Sequence, residues 1–159
     1  MKRIQHVQDL QRLRKTWLGS VALIPTMGAL HDGHMALIQT AKRICSQVVV
    51  SIFVNPTQFG PNEDFELYPR TLKADTARLE SAGVDVAFCP TSTDIYPNTT
   101  PSTLVHIPEL SKRYCGVTRP QLFDGACSVV LRLLNIIEPT DAFFGEKDFQ
   151  QRSEEHTSE

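Results

Sequence analysis

The sequence lacks a P-loop: nowhere does a GxxxxGK[ST] string occur, so Walker-type cradling of a nucleotide is excluded. Cysteine is scarce, with Cys45, Cys89, Cys115 and Cys127 far apart, no CxxC pair and no histidine at metal-ligand spacing. This excludes a zinc ribbon or a dithiol redox centre and predicts free thiols, no metal site and a reducing, cytoplasmic location. A surplus of one charge is also missing, because 16 Lys and Arg against 18 Asp and Glu leave a formal charge of -2 with no polybasic run. Nothing electrostatic therefore points to nucleic acid or an anionic membrane surface as a partner. No apolar run approaches the roughly 20 residues of a membrane span, and the N-terminus has no signal-peptide core. What remains is a chain of 159 residues, 41% hydrophobic and 21% charged, long enough for one compact domain with a sizeable core.

Within it, strand and helix patterns alternate. Val7, Leu10, Leu13 and Trp17 recur at near-helical spacing and predict an amphipathic outer helix ending at Gly19. Residues 21–24 read as a short buried strand, followed by a glycine-containing turn and a helix with the apolar stripe Leu37, Ile38, Ala41, Ile44 and Cys45. The β-branched run at 48–54 is typical of a parallel strand covered on both faces, and Asn55-Pro56 stops it. Residues 57–70 read as a loop, after which Thr71 caps a helix with Leu72, Leu79 and Ala82 on one side and Gly83 past its end. A third strand is expected at 84–89, an edge strand at 103–107 and a buried helix at 125–137 ended by Pro139. Residues 141–144 form a last strand that delivers Gly145-Glu146-Lys147-Asp148. The alternation predicts an α/β fold, a Rossmann-like parallel sheet with flanking helices, whose ligand crevice lies beyond the carboxyl ends of the strands. His31 with His34, Asn55 with Gln58, and Lys147 with Asp148 each fall at such an end and are expected to converge.

The richest stretch is Pro25-Thr26-Met27-Gly28-Ala29-Leu30-His31-Asp32-Gly33-His34, a strand-to-helix turn. Gly28 and Gly33 are read as allowing close backbone approach to a ligand, and a helix opening near Gly33 would aim N–H groups at an anion. His31 and His34 share a helix face and can both donate to phosphate oxygens, which suits attack at a nucleotide α-phosphate, where charge builds on those oxygens. Loop and helix-cap duty is the plainer reading of two such histidines. Lys147 is a point charge able to neutralise a triphosphate or a leaving pyrophosphate, or else part of a solvated turn. Gln58 and Gln151 carry amides suited to orienting a small hydroxylated acid, although an isolated Gln is usually surface.

Taken together, the PTMGALHDGH stretch, SIFVNPTQF at 51–59, YPRT at 68–71 and FGEKDFQQ at 144–151 resemble the pantothenate synthetase (pantoate:β-alanine ligase) family, within the HxGH nucleotidyltransferase superfamily. The resemblance covers nearly all of residues 1–151 and implies a Rossmann domain that binds ATP with Mg2+, commonly as a homodimer. It implies that pantoate carboxylate attacks the α-phosphate to give pantoyl adenylate and pyrophosphate, and that the amine of β-alanine then displaces AMP. By matching position, Met27, Gly28, Ala29, Leu30, His31, Asp32, Gly33 and His34 line the ATP site, with His34 as proton donor. Gly145, Glu146, Lys147 and Asp148 form the second ATP segment. Gln58 and Gln151 hold pantoate and, for Gln58, β-alanine; His34, His31 and Lys147 are the catalytic candidates. The rival readings are another HxGH nucleotidyltransferase acting on a phosphorylated acceptor, and a nucleotide-binding remnant without turnover.

Two departures stand out. Arg119-Pro120-Gln121-Leu122-Phe123 replaces the family's Arg-Pro-Gly-His-Phe, losing an imidazole and a glycine near the site. The polar run 152–159 breaks the family's apolar helix and matches a translated sequencing adapter, so it is read as a non-native tail. With a second small domain also missing, these residues alone are expected to show negligible ligase turnover.

Overall fold

The computed structural model describes residues 1–60, 65–97, 103–106 and 120–145. Among them, five strands form one parallel sheet: β1 (Lys2–Ile4), β2 (Val21–Thr26), β3 (Gln47–Ile52), β4 (Val86–Phe88) and β5 (Asp141–Ala142), in the order β1-β4-β3-β2-β5. The helices are α1 (Val7–Arg14), α2 (Asp32–Ile44), α3 (Leu72–Ser81), α4 (Ser92–Ile95) and α5 (Pro120–Ile137), with a 3₁₀ turn at Pro56–Gln58.

The continuous apolar strands are explained by burial on both faces. Val21, Leu23, Val49, Phe53, Val86 and Phe88 pack on one side with Leu10 of α1 and Val129, Val130, Leu133 and Ile137 of α5. Ala22, Ile24, Val48, Val50, Ile52 and Ala87 pack on the other with Ile38 and Ala41 of α2 and Leu79 of α3. The α/β expectation holds, and the sheet lies between two helical layers.

Several expectations are corrected. The first helix stops at Arg14 rather than running to Gly19, because Thr16 and Trp17 N–H groups bond to the carbonyls of Leu13 and Arg14 in tighter turns. Ile44 does not join the α2 stripe but is 61% exposed at the helix end. On α3, Leu72 is exposed and Asp75 and Leu79 are the buried pair. The strand ends are shorter than expected, at Phe88 and Ala142, and residues 103–106 form no strand: the Val105 N–H goes to the Ser128 hydroxyl at 2.8 Å. β1 and α4 were not anticipated, since three and four residues are too short to show a period.

From β2 the chain steps one way to β3 and β4, then returns to place β5 on the other flank of β2. The point where the strand order reverses lies between β2 and β5, the position at which open α/β sheets bind ligands.

Candidate functional site

A cleft of about 670 Å³ opens at that switch point. Its polar lining comes from His31 and His34 after β2, Gln58 after β3 and the Gly145 backbone after β5, together with Tyr68. Met27, Gly28 and Gly33 also line it, and Val129, Val130 and Leu133 of α5 form its apolar wall with Phe53 and Phe143. The expected convergence of strand-end groups therefore occurs for His31, His34 and Gln58. Glu146, Lys147, Asp148 and Gln151 lie outside the described residues.

The turn after β2 is set by backbone conformation. Gly28 and Ala29 both take positive φ, +87° and +51°. For Ala29 this costs roughly 1–2 kcal/mol, which the turn's hydrogen bonds must offset. Gly28 N–H donates to the Thr26 hydroxyl at 3.2 Å, while Ala29 and Leu30 N–H donate to the two carboxylate oxygens of Asp75 at 3.0 and 2.9 Å. Leu30 is 6% exposed and roots the turn in the core.

His31 is the N-cap of α2. Its Nδ1 accepts from Gly33 N–H at 3.1 Å, and the Nδ1 of His34 accepts from His31 N–H at 3.3 Å, a capping box built from two imidazoles. The rings lie 4.1 Å apart between centroids. Since each Nδ1 accepts, each neutral ring carries its proton on Nε2. The cap reading of the histidines and their place on the cleft are thus one geometry, because capping uses the Nδ1 of each ring while both residues line the cleft.

One part of the sequence reading is revised by this. The N–H groups of Gly28, Ala29, Leu30, His31 and Gly33 are bonded within the protein, so the turn does not offer them to an anion. Gly33 also has a packing reason to be glycine, since a Cβ there would stand 2.9 Å from the His31 ring.

Gln58 is oriented by Asn55, whose side chain is fully buried. The Asn55 amide donates to Gln58 Oε1 at 3.1 Å and to the Gly125 carbonyl at 3.0 Å. Its Oδ1 accepts from Thr57 N–H and Oγ1 and from Tyr96 O–H, at 3.3, 2.9 and 2.9 Å. With its oxygen held, Gln58 keeps its amide N–H groups as donors at the cleft. Burial, with Asp75 adding to it, pushes the Tyr68 phenol above its ordinary range, which keeps it a neutral donor.

Sequence reasoning missed Asp75 and Arg78, which hold the turn from α3, and the α5 wall. The signal for Asp75 was an acid in the stripe Leu72, Asp75, Leu79, at i, i+3 and i+7, a position that should be apolar unless its charge is used.

The Pantoate-beta-alanine ligase family model matches residues 1–153. Pantothenate synthetase of Magnetococcus marinus is 56% identical over 133 residues, 83% of this chain and 46% of that protein. That of Alteromonas mediterranea is 48% identical over 155 residues, 95% of this chain and 55% of that protein. Among solved structures, pantothenate synthetase from Thermus thermophilus superposes with a TM-score of 0.92 at 42% identity, covering 99% of this chain and 56% of its own. Pantoate-beta-alanine ligase from Francisella tularensis, solved with beta-gamma ATP and beta-alanine, gives 0.94 at 39% identity, covering 99% and 61%. The chain thus spans about half the length of the curated relatives it matches. By the extent of these matches, this chain belongs to the pantoate-beta-alanine ligase family.

Proposed function

We propose that the protein to which this chain belongs condenses pantoate with β-alanine, driven by ATP, through a pantoyl adenylate. The observation that carries this reading is the convergence of His31, His34 and Gln58 on one cleft at the β2–β5 switch point. The Francisella relative, solved with beta-gamma ATP and beta-alanine, supports both ligand classes.

Met27 to His34 and Gly145 to Asp148 bind the nucleotide, and Gln58 and Gln151 hold the acid. Attack of the pantoate carboxylate on the α-phosphate moves charge onto the phosphoryl oxygens. The Nε2–H groups of His31 and His34, with Lys147, stabilise that charge more in the transition state than in the ground state. Pyrophosphate leaves. The amine of β-alanine then attacks the acyl carbon, AMP departs and the amine loses a proton. The apolar α5 wall limits water near the mixed anhydride. Mg2+ enters with ATP as part of the nucleotide substrate; among the described residues no group of three or more His, Cys, Asp or Glu is placed to hold a metal of its own. We further propose a cytoplasmic homodimer; sedimentation reads the assembly, and a monomer at all concentrations would refute it.

The test is isotope exchange between pyrophosphate and ATP. Exchange that requires pantoate, and that falls at least about a hundredfold in His34→Ala, is expected. Exchange that requires a phosphorylated acceptor instead would assign another nucleotidyltransferase reaction, and calorimetric ATP binding with no exchange would assign a non-catalytic nucleotide protein.

A further inference from the structure

α3 contributes no side chain to the cleft, yet it holds the turn that does. Asp75, 2% exposed, receives Ala29 N–H, Leu30 N–H and the Thr71 hydroxyl, the last at 2.9 Å. Arg78, one turn further along the same face, donates to the Leu30 carbonyl and reaches Asp32 at 3.5 Å. The backbone at Ala29 and Leu30 is thus gripped at its two N–H groups by a carboxylate and at the Leu30 carbonyl by a guanidinium. The next residue is His31, whose ring begins the paired capping of α2.

We propose that Asp75 is a positioning residue. Its carboxylate is a resident anion that occupies the N–H groups of the turn, holds Ala29 in a conformation its Cβ disfavours, and thereby fixes the Nε2–H tautomers and directions of His31 and His34. Arg78 holds the same turn from its carbonyl side. The affinity arm of this inference rests on the proposed nucleotide site; the tautomer arm does not.

Asp75 also lines a second hollow of about 330 Å³, beside Met27, Gly28 and Arg70. Removing its side chain would open the N–H pair to that hollow, so a small carboxylate should replace it. The experiment compares the 159-residue chain with Asp75→Ala, Asp75→Asn and the remote core variant Leu10→Ala by nitrogen-15 NMR of the histidine rings. Each protein is measured with and without formate, and ATP affinity is read by calorimetry.

Both rings of the parent should show Nε2–H. Asp75→Ala should lose that pattern and about tenfold or more in ATP affinity, as the competent geometry falls to roughly a tenth of molecules, and formate should restore both. Asp75→Asn keeps the volume but turns an amide donor toward N–H donors, so it should lose the pattern without formate rescue. Leu10→Ala should lower stability and leave the rings unchanged. Parent-like rings in both Asp75 variants, absence of formate rescue in a folded Asp75→Ala, or an equal ring change in Leu10→Ala would overturn the proposal. If Asp75→Ala does not fold, Asp75→Asn alone decides it through the ring signals. A parent chain that binds no ATP would count against the nucleotide reading and leave the ring comparison standing.

Discussion

Asn55 shows how much one buried amide can carry. It donates to Gln58 and to the Gly125 carbonyl, and accepts from Thr57 and Tyr96, so its polar atoms are all used. Asn55→Asp replaces the donor by an acceptor facing two acceptors. Unfolding by urea should show a loss of about 3 kcal/mol, from a buried unpaired charge and the lost bonds. A change within experimental error would mean that water rescues the site. Gly125 is the matching case on α5: a Cβ there would stand 2.4 Å from the Thr57 carbonyl oxygen. Gly125→Ala should cost about 1–3 kcal/mol in urea unfolding, by overpacking that pushes the Gln58 turn away from the helix. The sequence offered Asn55 and Gln58 as strand-end polar residues, but it held no reason for Gly125, because the close approach is made by a segment some 70 positions away.

Elements are joined by charged ends whose effects depend on pH or on capping. His6, the N-cap of α1, lies 3.0 Å from Asp94, which belongs to the capping box of α4. The hydrogen bond and charge of Asp94 raise the His6 pKa above 6.5. Asp94 itself is held below 3.8: burial opposes this, and hydrogen bonds from Thr91 and His6 outweigh it. The raised imidazole gives stability that is full below its unfolded value and lost as pH rises through the folded one. The depressed carboxylate gives stability present above its own unfolded value and lost as pH falls through its folded one. The pair therefore contributes most between those ranges. The difference in urea midpoint between parent and His6→Ala should be largest near about pH 5 and shrink by about pH 9; a pH-independent difference would discard the pair as its source. Arg14 joins α1 to the end of α5 within the same helical layer, donating from Nε to the Ile137 carbonyl at 3.0 Å and from Nη2 to the Glu138 carbonyl at 2.9 Å. Arg14→Met keeps the packing and leaves those carbonyls without the guanidinium, for an expected loss of about 1–2 kcal/mol in thermal or chemical unfolding.

For the molecule as a whole, protection should follow the sheet order. β3 is flanked by β4 and β2 and covered on both faces, whereas β1 and β5 are short edges. Amide exchange is expected to be slowest at Val48–Val50 and fastest among strand residues at Lys2–Ile4 and Asp141–Ala142. Comparable exchange in edge and centre would mean that the sheet opens as one unit.

By itself the sequence determined the fold class, the central strands and the turn from Pro25 to His34, because these rest on local information: β-branched runs, helical periods and a motif of contiguous residues. The family was legible for the same reason. It did not determine that the Ala29 and Leu30 N–H groups are taken by Asp75, why Gly125 is glycine, or that Arg78 joins Asp75 in holding the turn that carries the histidines. Those depend on which atoms from distant segments meet within hydrogen-bond or van der Waals distance, and only tertiary packing decides that. An exposed Ile44 and a buried Asp75 follow from the same cause, since a stripe of residues sets which face can be buried, while the neighbouring elements set how far along the helix burial extends and which polar atoms are met there.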